Sequence, residues 1–213
     1  MRVPPAFWIA ATCVALAAGG LVWILGQGFG GHPLSIADAT LANWPLVTSD
    51  GTDPWIVAAR PPDSLITQLL QDVSRQSGRT LVPPPHPGLP LVLRAEFDDA
   101  LQGVYGIDEV LRIARDAGVD TATFTPVCIA RKVAGTGPGR AELYFIVFDA
   151  PAFDQMRVDL TPTQPEHAGI GMYDPSTVTP VLVVGATDSS FERWWPLTVN
   201  RATDCQATLQ PAR

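Results

Sequence analysis

The sequence predicts an α+β fold: a mostly antiparallel sheet with helices on one face, preceded by one N-terminal transmembrane helix. Three observations carry this reading. An uncharged apolar run, Ala6 to Leu25, opens the chain. Two later segments repeat apolar residues at helical spacing. The block from Thr121 to Ala150 is dense in β-branched and aromatic residues, as paired strands are.

As a helix, the opening run would be ~30 Å long, the thickness of a bilayer core. Trp8 and Trp23 lie near its ends, where amphipathic rings favour the membrane interface. The following "WILGQGFGG" offers no small-x-small cleavage site, so an uncleaved signal anchor is expected. Cys13 lies in the middle of the run and reads as a small apolar residue, not a lipid carrier. Arg2 precedes the run, and no Lys or Arg follows it until Arg60. The positive-inside rule then places residues 1–5 in the cytoplasm and the remainder outside. In a bacterial envelope this is a single-pass inner-membrane protein with a periplasmic domain. A bias to arginine, with Lys132 the only lysine, fits a GC-rich bacterial genome. The expected organisation is a short N-terminus at 1–5, an anchor at 6–25, a linker at 26–53 and an extracytoplasmic domain at 54–213.

The chain has 14 Lys and Arg against 21 Asp and Glu, a net charge of −7. Arg2 is the only charged residue before Gly26, so the acidic excess falls on the outer part. That disfavours nucleic acid and anionic headgroups as general partners. Outside the anchor only Cys128 and Cys205 remain, and in an oxidising compartment two cysteines can form one disulfide. The alternative is two separate buried thiols.

The elements follow in order. "LSIADATLANWPL" can hold a short helix with Ser35 as its cap, and "WIVAA" at Trp55 to Ala59 reads as a buried strand. After Pro61 and Pro62, Asp63 or Ser64 can cap a helix. Its face carries Leu65, Ile66, Leu69, Leu70 and Val73, and Gly78 stops it. "PPPHPGLP" has too few amide donors for a central strand and reads as loop or edge. "LVLRAEF" at Leu91 to Phe97 resumes as strand. Ile107 to Ala117 is a second helix, with Ile107, Val110, Leu111 and Ala114 on one face. Thr121 to Val133 and Ala141 to Ala150 form an antiparallel hairpin around "AGTGPGR", the second strand apolar on both faces and therefore central. Pro151 opens a short helix. Val181 to Asp188 is a core strand, and "SSFERWWPL" gives a short amphipathic helical turn.

The candidate chemistry is sparse. Gly26, Gly28 and Gly31 match a dinucleotide pattern but follow no strand, so they read as linker. "GTGPG" lacks the Lys-Ser/Thr of a phosphate loop. His32, His86 and His167 have no ligand at metal-binding spacing; a site would have to assemble from His167, Glu166 and Asp174 across loops. Ser189 in "TDSSF" is the nearest approach to a displayed nucleophile, yet Asp188 or Ser189 equally suits a helix cap. Asp98–Asp99 and Asp108–Glu109 read as structural carboxylates. Trp194 and Trp195, with Arg193 beside them, are candidates for partner contact or for a lid over the core. No cofactor or metal is expected.

The expected function is a non-catalytic accessory or structural protein of the cell envelope, acting through protein contacts. The alternative is a membrane-tethered enzyme or small-ligand binder with a loop-built site. Catalysis is left open, with the balance against it.

Overall fold

The computed structural model describes residues 34–162 and 173–212. The fold is mixed α+β, with two antiparallel-rich sheets. The first has five strands in the order β1-β8-β5-β6-β7. These are β1 (Leu34–Ala37), β5 (Thr125–Ala134), β6 (Ala141–Asp149), β7 (Val181–Ala186) and β8 (Cys205–Ala212). Among the described strands only β1 and β8 run parallel. The second sheet has three antiparallel strands: β2 (Leu46–Thr48), β3 (Trp55–Ala59) and β4 (Leu89–Leu93). The anchor at 6–25, the linker glycines, Cys13, His32, Glu166 and His167 lie outside the described residues. Among the described residues, no helix is long and apolar enough to cross a membrane.

The expected hairpin is present. β5 pairs with β6 from Thr125↔Asp149 to Ala134↔Ala141. β6 lies between β5 and β7 and is buried along all but its last residue. Leu143, Phe145 and Val147 face the same way as Ala186, Val183 and Val181 of β7. Trp194 and Leu197 of the C-terminal segment cover that face. The opposite face carries Tyr144 and Ile146. There Gly185 is required: a Cβ would sit 2.9 Å from the Val82 carbonyl oxygen and 3.0 Å from Leu70 Cδ1. Its absence lets the first helix and the strand-like Val82 approach β7.

Helix α1 (Asp63–Ser77) buries Leu65, Ile66, Leu69 and Val73 and ends at Gly78 with φ +64°. Its cap differs from expectation. Pro62 holds the N-cap position without a side-chain bond, and Asp63 instead pairs with Arg60 at 3.2 Å. Helix α2 (Ile107–Asp116) buries Val110, Ile113 and Ala114. Ile107 is exposed, because the buried stripe is rotated toward Ile113. Helix α3 (Pro151–Asp159) starts at its proline as expected.

Several segments depart from the local reading. The expected short helix is a single 3-10 turn at Asp38–Thr40 with Ala37, not Ser35, at its N-cap. Ser35 lies in strand β1, where Leu34 and Ile36 alternate inward and pairing with β8 supplies the backbone bonds. β1 and β2 both arise within 26–53 and belong to the same compact unit as the rest of the described fold. The expected single sheet is divided in two. β4 ends at Leu93 rather than Phe97, because Glu96 folds back to accept from the Leu93 amide at 3.3 Å, and Arg94–Leu101 coils into helical turns. The tail forms β8 between β1 and β5.

Two contacts close the structure. Cys128 on β5 and Cys205 on β8 form a disulfide, with Cα atoms 5.7 Å apart on adjacent strands. Arg157 of α3 is 1% exposed and pairs with Glu96 through two nitrogens. It also donates to the Leu91, Asp174 and Pro175 carbonyls. Near the disulfide, Asp204 accepts from Lys132 and the Asn200 amide, 2.7 and 2.8 Å away. Burial pushes its carboxyl up, but these bonds outweigh burial and hold it below the usual carboxylate range.

Two outcomes are expected. Arg157→Met leaves the largely covered Glu96 carboxylate and the Leu91, Asp174 and Pro175 carbonyls without their partner and should cost about 3 kcal/mol in urea unfolding. Asp204, depressed in the folded state, stabilises fully above its unfolded value near 3.8, and that contribution is lost as pH falls through the lower folded value. The stability gap between wild type and Asp204→Asn should therefore shrink between pH 6 and pH 2; a constant gap would refute the assignment.

Candidate functional site

A cleft of about 330 Å³ opens where four segments meet. These are the turn before β3, the proline-rich loop before β4, Arg94 just after β4, and the stretch from Ser189 to Trp195. Trp55 is a buried wall, and Phe191 and Trp195 are half-buried walls.

The turn is held by its own side chains. Ser49 Oγ accepts from the Gly51 and Asp53 amides at 3.1 and 3.3 Å. Asp50 accepts from the Thr52 amide and hydroxyl at 3.1 and 2.8 Å. The Thr52 hydroxyl and amide hold the Asp50 carboxyl below its ordinary range, with a smaller contribution from His86. Gly51 has φ +113°, a conformation only glycine adopts without strain. Arg94 backs the turn by donating to the Asp53 carbonyl at 3.0 Å and to Ser49 Oγ at 3.2 Å.

The proline-rich loop folds back over β3. A Cβ on Gly88 would lie 3.0 Å from Ala58 Cβ, so the absent side chain permits the approach. Pro84, Pro85 and Pro87 restrict the backbone around His86. The loop carries His86 to Asp53, with Nδ1 2.9 Å from Oδ1. Asp53 is 7% exposed, while the His86 side chain is half-exposed. A carboxylate can only accept, so the ring donates from Nδ1; in the neutral form of the imidazole the lone pair is then on Nε2. Among the described residues Nε2 has no hydrogen-bond partner. A second cavity of about 210 Å³, reaching Val47, Asp50 and Arg60, shares Asp53, Trp55 and His86 with the first. The arrangement offers apolar ring walls and one oriented base.

The residues singled out in the sequence take separate places. Trp194 is buried in the same cluster as Leu197, and among the described residues its indole N–H has no partner. Trp195 turns into the cleft. Arg193 is exposed, paired with Asp188 and lying 5.6 Å over the Trp194 ring. Of the three, Arg193 is exposed, Trp195 half-buried and Trp194 buried. Ser189 lines the cleft without a bond to His86. Asp188 accepts from the Ser190 amide, a turn role. Asp174 likewise caps a turn through the Ser176 amide and hydroxyl. Glu109 pairs with Arg112 along α2. Among the described residues no three His, Cys, Asp or Glu side chains gather to hold a metal. The Asp53–His86 pair was not foreseen: the two are 33 residues apart and meet only through the folded-back loop.

The chain matches no family model, no curated protein and no solved structure.

In its neutral form the His86 imidazole should be the Nδ1–H tautomer. Asp53→Ala should move it toward Nε2–H, read from long-range proton–nitrogen NMR correlations. An unchanged tautomer in the variant would show that Asp53 does not orient the ring.

Proposed function

We propose that this chain is a membrane-tethered envelope protein whose outer α+β domain binds a small molecule in the Asp53–His86 cleft. The carrying observation is the cleft itself: ring walls from Trp55, Phe191 and Trp195 beside an oriented imidazole with an unengaged nitrogen. Binding sites for small molecules commonly combine apolar walls with a few fixed polar groups. The ligand class is a compact molecule with an apolar ring or chain and one donor group for Nε2. The proposal keeps the organisation read from the sequence, with residues 1–5 inside, an anchor at 6–25 and the remainder in the periplasm. The Cys128–Cys205 disulfide is compatible with that compartment.

The accessory reading, a non-catalytic subunit acting through protein contacts, rests on Trp195 and Arg193, both still reachable by a partner. The two readings separate in one experiment. Full-length protein in mild detergent is screened by ligand-observed NMR against fragments of aromatic and alicyclic alcohols, amines and acids. Binding that Trp195→Ala and His86→Ala each weaken about tenfold supports the cleft. Hits that bind both variants equally, or an absence of hits alongside a stoichiometric protein partner recovered from native membranes, would favour the accessory role.

A further inference from the structure

We propose that Arg79, Arg131 and Arg140 form a binding site for a phosphate group, separate from the cleft. Three guanidinium groups converge on a single buried carboxylate. Glu142 of β6 is 2% exposed. Its Oε1 lies 2.8 Å from Arg140 and 3.4 Å from Arg79. Its Oε2 lies 4.0 Å from Arg131 and accepts from the Tyr144 hydroxyl at 2.6 Å.

The fold forces this meeting. Glu142 and Tyr144 are two apart on one strand and share a face. Arg131 is the cross-strand partner of Tyr144. Arg79 follows Gly78 at the end of α1, and α1 reaches this face because Gly185, opposite Tyr144 on β7, has no side chain.

The charges do not cancel. One carboxylate faces three guanidinium groups, which leaves two positive charges. Each guanidinium carries five N–H donors, against about four acceptor positions on the carboxylate, one of them used by Tyr144. The three arginine side chains are 51%, 30% and 45% exposed, so unused donors reach solvent. Elsewhere cations pair with their own carboxylates, as in Arg60–Asp63, Lys132–Asp204 and Arg201–Asp149. The chain as a whole is acidic, so composition does not explain this cluster. Glu142 holds the three groups close against their mutual repulsion, and an incoming dianion relieves that repulsion. Phosphate fits best, because planar guanidinium forks match its oxygens in pairs. A free phosphate monoester and a phosphorylated lipid headgroup share this chemistry.

The test uses the full-length chain in a zwitterionic detergent. Inorganic phosphate, glycerol phosphate and dihexanoyl phosphatidic acid are titrated separately, against chloride at matched ionic strength. Arginine Nε–Hε resonances report binding by NMR. Expected are shifts on Arg79, Arg131 and Arg140 with phosphate but not chloride, and affinity about tenfold weaker in Arg79→Gln/Arg140→Gln. Both arginines are at the surface, and circular dichroism checks that the variant folds. Arg112→Gln, on a helix-internal pair, should bind as wild type does. Lipid binding tighter than inorganic phosphate assigns the headgroup; equal or weaker lipid binding assigns a soluble monoester. Phosphate no better than chloride, or a double variant that binds like wild type, overturns the site.

Discussion

Arg157 is the constraint on which the packing of this molecule depends. A buried guanidinium is costly unless every donor finds an acceptor. Here the acceptors come from three places: the Leu91 carbonyl on β4, the Glu96 carboxylate in the turn after it, and the 174–177 segment before β7. The Phe153 and Tyr173 rings lie 5.9 and 5.0 Å from its carbon centre. Satisfying one side chain therefore fixes α3, the edge of the small sheet and the entry to β7 together. The same demand explains why β4 stops early. Glu96 must turn back to meet Arg157, so the chain leaves the extended conformation at Arg94.

That early end has a consequence at the cleft. Arg94, the first residue past β4, is placed to donate to the turn that presents Asp53. The edge position of β4 leaves room for Pro90, which has no amide to give a further neighbour. The prolines ahead of it stiffen the loop that carries His86. The cleft is thus built from loops whose geometry comes from the small sheet, with Trp195 and Phe191 reaching in from the segment after β7.

Much of the regular structure was legible locally. Helix α1, the β5–β6 hairpin and the buried β6 follow from periodicity, glycine stops and apolar runs, because their stabilising contacts recur at fixed spacing. β1 and β8 were not legible. "LSIA" and "CQATLQPA" are short and weakly patterned, and their pairing with each other and with β5 supplies what local sequence does not. The aromatic set of Trp44, Phe124 and Phe148 is likewise a product of distant segments, with Trp44 and Phe124 stacked at 4.3 Å. The candidate site was legible only in part. Trp195 was noticed as an aromatic, but its place as a cleft wall depends on the chain around it. His86 was read as a loop histidine, and its exposure agrees; its partner Asp53 came from another loop.

The sequence by itself determined the mixed α+β class, the main helices and hairpin, and the availability of two cysteines for one bridge. These depend on local periodicity and composition, which a linear reading samples directly. Tertiary structure alone decided that the strands divide into two sheets, that Cys128 and Cys205 stand on neighbouring strands, that Asp53 meets His86, and that three arginines share Glu142. Most of these join residues far apart in the chain, as Cys128 with Cys205, Asp53 with His86, and Arg79 with Glu142. Strand pairing brings the cysteines together, and close approach at Gly88 and Gly185 positions the His86 loop and the end of α1; no local pattern encodes these.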